Sequence, residues 1–363
     1  MSKKSYDSHN RRTFFTAIGI TALILVMPLA VIFAEYSQNS MYSYAAYNKN
    51  VHASTSQQKN IYANNVGINT SGAWISEASL VNIYKPMQAA GVTWSREDFF
   101  AGYAQSQDNI LQAAKQTGMN ILGIIVDKNY STNTGFSNGG NDAYTSPSAY
   151  TQECLTILAN AKAQGEPLTA VELWNEPWGD WSVANPNVKA YAAMVKPAIA
   201  AIHANYPGVT VLISGDYMIY GGNNNGQQWL SALTPLVTPD AWSIHPYPAP
   251  KNLSPTNAAD SPQDSVEGQI QLAESHAKNI PIWITELGWS TGTGSDQVTD
   301  AQQASYQQQA ITYALNQSEI KKYFIYSADV DDPSQGDPEG YFGAFYQNGS
   351  PKPIIAMLSN LLN

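Results

Sequence analysis

From Val66 onward, short apolar runs alternate with longer segments whose apolar positions recur at helical spacing. The short runs predict strands at Val66–Asn69, Val92–Arg96, Asn120–Val126, Ala170–Trp174, Thr210–Ser214, Ala241–His245, Ile280–Thr285 and Lys322–Tyr326. Helices are predicted between them and after the last. Ser146-Pro147 and Ser261-Pro262 each offer an N-cap before a proline at the first helical position. Asp300 opens another helix, and Gly91, Gly118 and Gly165 sit where helices should end. Eight strand–helix units in series predict an α/β protein, a closed parallel (β/α)8 TIM barrel forming one catalytic domain over residues 61–363. The rival, an open doubly wound sheet, ordinarily carries a glycine-rich turn after its first strand, and none is present. In such barrels chemistry sits where the strands end.

The N-terminus breaks the pattern. Lys3, Lys4, Arg11 and Arg12 precede an uncharged apolar run from Thr13 to Ala34. That order predicts a signal peptide or signal anchor over residues 1–34, with Ile32 and Ala34 as candidate cleavage-site positions. The run is long enough to span a bilayer, so cleavage and anchoring both stay open. The Arg11-Arg12 pair before Phe14-Phe15 resembles a twin-arginine signal, but the core is too hydrophobic for that route. Basic residues stay cytoplasmic, which places the rest of the chain outside the cell or on its surface. Residues 35–60 are polar and aperiodic and read as a flexible stalk.

Charge and composition narrow the partners. Net charge is −10, and the basic N-terminus leaves the body more acidic still, which excludes a nucleic-acid partner. Only 13% of residues are charged; Asn, Gln, Ser, Thr and Tyr fill the surface and suit neutral, hydroxyl-rich ligands. Cys154 is the one cysteine, so no internal disulfide forms, and it reads as a small core residue. A monomer is expected, meeting the membrane only through an uncleaved N-terminal segment.

Two glutamates stand just past apolar runs, beside tryptophans. The fourth strand ends Glu172-Leu173-Trp174-Asn175-Glu176-Pro177-Trp178, and the seventh ends Ile284-Thr285-Glu286-Leu287-Gly288-Trp289. Glycoside hydrolysis needs such a pair: one carboxyl protonates the leaving oxygen while the other attacks or activates water. The bland alternative is a salt-bridged glutamate at a loop start, which is harder to sustain for both positions at once.

ELWNEPW resembles the Asn-Glu-Pro motif of glycoside hydrolase clan A, closest to families 39 and 5, and WITELGW resembles that clan's nucleophile strand. The resemblance covers residues 61–363 in order and spacing. It implies a retaining (β/α)8 β-glycosidase with Glu176 as acid/base and Glu286 as nucleophile, and with Asn175 on the sugar 2-hydroxyl. Carboxyl separation near 5–5.5 Å follows from retention. Gly91-Val92-Thr93-Trp94-Ser95-Arg96 resembles the clan's second strand, whose arginine touches the nucleophile and keeps it ionised. His245-Pro246-Tyr247 resembles its His-x-Tyr, with Tyr247 donating to Glu286 and His245 lining the site. Two departures stand out. The eighth strand offers Tyr326 where a tryptophan is common, with Tyr341 or Phe342 as substitutes. The third ends Asp127-Lys128-Asn129 without the histidine of many family 5 enzymes, which favours family 39 or an outlying family.

Trp74, Trp178, Trp181 and Trp289 all follow strands, where rings stack on sugar faces; Trp178 and Trp289 are the candidates beside the glutamates. Asp216 serves a sugar hydroxyl or a turn. The acidic loop Asp329–Gly340 is a conceivable calcium site, but its spacing is not that of an EF-hand, and a solvated or substrate-rim loop is the expectation. The chemistry itself needs no cofactor or metal. The expected function is hydrolysis of β-linked poly- or oligosaccharides through a covalent glycosyl-enzyme. The alternatives are a carbohydrate-binding surface protein on an inactive barrel and a transglycosylase.

Overall fold

The computed structural model describes residues 61–62, 64–126, 144–179, 182–183, 186–216, 226–256 and 262–363. The expected signal and stalk, Asp127-Lys128-Asn129, Trp181 and Ser261 lie outside the described residues. Among those described, no helix is long and apolar enough to cross a membrane.

Eight parallel strands close into a barrel in sequential order, the first pairing with the eighth. They are β1 (Val66–Asn69), β2 (Trp94–Phe100), β3 (Asn120–Val126), β4 (Ala170–Leu173), β5 (Thr210–Ser214), β6 (Ala241–Ile244), β7 (Ile282–Leu287) and β8 (Ile320–Ile325). The helices are α1 (Glu77–Ala89), α2 (Ala104–Thr117), α3 (Pro147–Ala163), α4 (Val188–Asn205), α5 (Gly226–Leu233), α6 (Val266–His276), α7 (Asp300–Leu315) and α8 (Pro353–Leu362). Each expected strand is found, and the open-sheet rival is excluded by closure. β2 runs four residues further than expected, through Glu97 and Asp98. Glu97 faces away from the barrel axis, where the hydroxyls of Thr70, Tyr84 and Ser95 all donate to its buried carboxyl.

The helix signals act as local chemistry requires. Ser146 caps α3 and Pro147 fills its first position. Thr299 and Gln302 form a reciprocal capping box around Asp300. Gly118 ends α2 with a left-handed φ of 76°. The helix after β6 departs from expectation. Pro262 begins a short 3-10 turn, and α6 starts at Val266 with Ser265 as its cap.

The barrel interior is layered. Its lower level is apolar: Leu122, Ala170, Leu212, Ala241, Trp283 and Phe324 pack together, with Trp94 against them. Gly67 belongs to this layer because a Cβ there would lie 2.5 Å from the Phe324 ring. Lys322 closes the bottom with its ammonium 4.2 Å from the Trp94 ring centroid, and burial lowers its pKa to about 8. Above this plug the inward residues turn polar: Asn69, Arg96, Glu172, Ser243 and Thr285. The apolar layer thus forms a dry floor beneath a charged chamber that opens at the strand ends.

Candidate active site

The chamber is organised by Arg96, carried inward on β2. Its Nε donates to Glu172 on β4 at 2.7 Å, and its Nη1 donates to Glu286 at 2.5 Å and to Asn69 at 2.9 Å. Its Nη2 donates to Asn175 Oδ1 at 2.9 Å. Arg96 and Glu172 are almost fully buried, so these bonds stand in for the water both ions give up.

Local backbone geometry brings Glu176 and Glu286 together. After β4 the chain turns through left-handed conformations at Trp174 (φ 75°) and Glu176 (φ 45°). Side chains larger than glycine rarely adopt that region, and such strain concentrates at functional sites. The turn is held by Trp174 Nε1 donating to Ser182 Oγ, which in turn donates to the Asn175 carbonyl. On β7 the register with β8 shifts between Ile284 and Leu287. Regular alternation would send Thr285 and Glu286 to opposite faces. Thr285 instead reaches Ser243 and His245 inside the barrel, while Glu286 meets Arg96 and Tyr247.

His245 lies between the glutamates. Its Nδ1 is 3.0 Å from Glu176 Oε1 and 3.7 Å from Glu286 Oε2, and its Nε2 is 2.9 Å from Thr285 Oγ1. Burial lowers its pKa, but the charges of Glu286 and Asp216 and the bond to Glu176 outweigh that and push it up to about 9. A protonated His245 gives one consistent direction of donation, from Nε2 to Thr285, then to Ser243, then to Glu172. Burial favours the neutral form of Glu286. Even so, His245, Arg96 and the Tyr247 hydroxyl at 3.2 Å hold its pKa below the usual carboxylate value.

Glu176, Glu286, Arg96, Asn175, His245 and Tyr247 therefore form one cluster. Tyr326 joins its rim, its ring 6.4 Å from Tyr247 and 5.2 Å from Phe342. The two candidate tryptophans do not form open walls. Trp178 is 5% exposed and its Nε1 donates to Asp216 at 2.8 Å. Trp289 is 1% exposed, donates to the Leu253 carbonyl and packs edge-on against Tyr306. Asp216 is equally buried and accepts from Trp178, Ser214 and the His245 backbone amide, so it positions the site rather than facing it. Asn69 and Ser243 belong to the site but carry no motif, while Glu172 and Thr285 lie within the two motif stretches without having been assigned a role. The one available signal was a polar residue inside each apolar run.

Among the described residues, Glu176, His245 and Glu286 bring ligand atoms within 4.8 Å of one another, a spacing a metal ion would accept. The adjoining Arg96 charge disfavours a cation there. In the acidic loop, Asp329 accepts from Ser71, Asp331 pairs with buried Lys352, and Asp332 caps Ser334. These carboxylates have individual protein partners and do not converge on one point.

The family described as Cellulase (glycosyl hydrolase family 5) matches residues 43–328. A search of curated proteins found no match. Among solved structures, a family 39 glycoside hydrolase from Bacteroides cellulosilyticus WH2 is similar at TM-score 0.59 and 18% identity, over 82% of this chain and 63% of that one. A monomeric β-xylosidase from Caulobacter crescentus CB15 matches at TM-score 0.60 and 16% identity, over 82% and 67%. Two fungal β-1,4-galactanases are described with a structure matching at TM-score 0.55 and 15% identity, over 77% and 90%. At these identities the structures share the fold alone. The third strand's end without a histidine favoured family 39 or an outlying family; of the two families the motifs resembled, the one whose model matches is family 5. The chain belongs to glycosyl hydrolase family 5, the cellulase family, as its clan A motifs implied.

Proposed function

We propose that this protein is an exported retaining β-glycosidase that cleaves a β-linked glycan by double displacement. The observation that carries the reading is the approach of Glu176 and Glu286, one carboxylate oxygen of each lying within 4.8 Å of the other, with His245 beside both. Retaining enzymes hold their carboxyls about 5–5.5 Å apart, whereas inverting ones leave about 6.5–9.5 Å for a water.

In the first step Glu286 attacks the anomeric carbon and the glycosidic C–O bond breaks as Glu176 protonates the leaving oxygen. In the second, Glu176 takes a proton from water, the water oxygen attacks the same carbon, and Glu286 leaves as a carboxylate. Two inversions restore the configuration. Arg96 and Tyr247 suit this cycle because they favour the anion of Glu286 at its start and end. Accepting from Arg96 through Oδ1 turns the amide nitrogen of Asn175 away from that arginine, as a donor to the sugar 2-hydroxyl requires. The names of the β-xylosidase and the β-1,4-galactanases support a β linkage. Export rests on the basic and apolar residues 1–34, and fractionation of the expressed chain tests it.

The test is reducing-end release by residues 35–363 from β-glucans, xylans, mannans, galactans and bacterial exopolysaccharides. Release from one polymer as the β anomer, falling by about four orders of magnitude or more in Glu286→Gln, is expected. Glu176→Gln should lose about 10²–10⁴-fold on natural linkages, but far less on an aryl glycoside whose leaving group needs no proton. Unchanged hydrolysis in both variants would overturn the assignment. Initial release as the α anomer would overturn retention.

A further inference from the structure

Glu97 and Asp98 are neighbours on β2, and strand alternation sends them to opposite faces. Glu97 turns outward to the hydroxyls of Thr70, Tyr84 and Ser95. Asp98 shares the inward face with Arg96. It stands two residues further along the strand, about 7 Å nearer the open end of the chamber.

The neighbouring carboxyls have donors. Glu172 accepts from Arg96 and Ser243, Asp216 from Trp178, Ser214 and a backbone amide, and Asp329 from Ser71. Among the described residues, no donor meets the carboxyl of Asp98. Its surroundings are apolar. Its register partner on β3 is Ile124, which packs with Phe100, Val126 and Ala73 into an apolar wall. Asp98 is nonetheless half-buried rather than held out in solvent. Burial raises its pKa to about 6 against the pull of the Arg96 charge, and the charges of Glu286 and Glu172 add to the rise. A carboxyl placed this way costs the fold free energy, and such groups concentrate where a ligand supplies the missing partners.

The chamber sets how a sugar lies in it. Arg96 ties Glu286, which meets the anomeric carbon, to Asn175, which faces the 2-hydroxyl. Glu176 and His245 follow β4 and β6, so the leaving group departs on that side. The rest of the transferred sugar then lies on the opposite side, toward β1 and β2, where Asp98 stands.

We infer that Asp98 is a specificity-determining residue that accepts hydrogen bonds from the free hydroxyls on carbons 3 and 4 of the sugar attacked by Glu286. Its two oxygens suit adjacent hydroxyls. The sugar taken is hydroxylated along that edge, and an analogue without those groups is rejected because it leaves the carboxylate desolvated and unpaired. This rests on the glycosidase reading above.

The test uses dinitrophenyl β-glycosides of glucose, xylose, mannose and galactose, with their 3-deoxy and 4-deoxy forms. Wild type, Asp98→Ala and Asp98→Asn are compared by kcat/KM and by melting temperature. On the parent glycosides Asp98→Ala should lose about ten- to hundredfold, and Asp98→Asn less, because the amide oxygen still accepts one bond. On the 3-deoxy or the 4-deoxy form the same substitution should cost little, since the bond is already missing and the two losses do not multiply. The melting temperature at pH 7 should not fall, because nothing in the fold bonds to this carboxyl. Losses that multiply on both deoxy forms, a lowered melting temperature, or wild-type activity in Asp98→Ala would each overturn the assignment. No aryl release from any parent glycoside, beside intact polymer cleavage, would overturn it too, since an activated leaving group requires only the sugar that Asp98 holds. Failure of the catalytic reading appears separately, as aryl release undiminished in Glu286→Gln, and the deoxy comparison still reads whether those hydroxyls meet Asp98.

Discussion

Arg96 uses all three guanidinium nitrogens, and each bond goes to a different part of the site. Glu172 opens the ELWNEPW stretch, yet the sequence assigned it no role. It takes Arg96 Nε on one oxygen and Ser243 Oγ on the other, so it fixes the plane in which the arginine meets Glu286. Glu172→Gln keeps the shape but removes the charge that anchors Arg96. Misplacement of a positioning group by about an ångström costs about 10²-fold, and a loss of that order is expected in kcat with little change in KM. Because Arg96 holds Glu286 ionised, its looser placement should also move the acidic limb of the pH–kcat/KM profile to higher pH. A purely structural Glu172 would lower the amount of folded enzyme and leave the limb in place.

At the scale of elements, the ends of β4 and β7 matter more than their lengths. Strand alternation predicts one inward residue of each consecutive pair, yet Thr285 and Glu286 are both used. The register shift in β7 is the reason. Gly288 secures that end of the strand, since a Cβ there would lie 1.7 Å from the Tyr326 carbonyl oxygen. Gly288→Ala should therefore destabilise by about 2–3 kcal/mol in urea unfolding and lower kcat by displacing Glu286. An alanine variant of wild-type stability would show that the contact relaxes freely. The strand-end glutamates, the Ser146-Pro147 helix start and Gly118 were legible in the sequence because each is local chemistry, whereas the start expected at Ser261-Pro262 was not where the next helix begins. The continuation of β2 through Glu97 and Asp98 was not. Charge argued against a strand, and only the hydroxyls of Thr70, Tyr84 and Ser95 make a buried Glu97 tolerable.

For the whole molecule, the charged chamber ties stability to pH. The pKa of His245 is about 9 when folded against the ordinary 6.5, so its proton is held more tightly in the native state. Its stabilisation is fully present below about pH 6.5 and is lost as pH rises through about 9. His245→Gln should thus lower the melting temperature more at pH 6 than at pH 10. An equal loss at both would show that the charge of His245 contributes nothing. By itself the sequence determined the eightfold alternation, the barrel class and the pair of strand-end glutamates, because periodicity, caps and motifs are written in neighbouring residues. Tertiary structure decided which tryptophans face the solvent. Trp289 looked like a cleft wall and is core, and Trp178 is held by Asp216, while Trp74 stands open beside Tyr103. It also decided the web of Asn69, Glu172, Ser243 and Thr285 around Arg96. Those partners are brought together by barrel closure, and contacts between residues far apart in the chain leave no periodic trace along it.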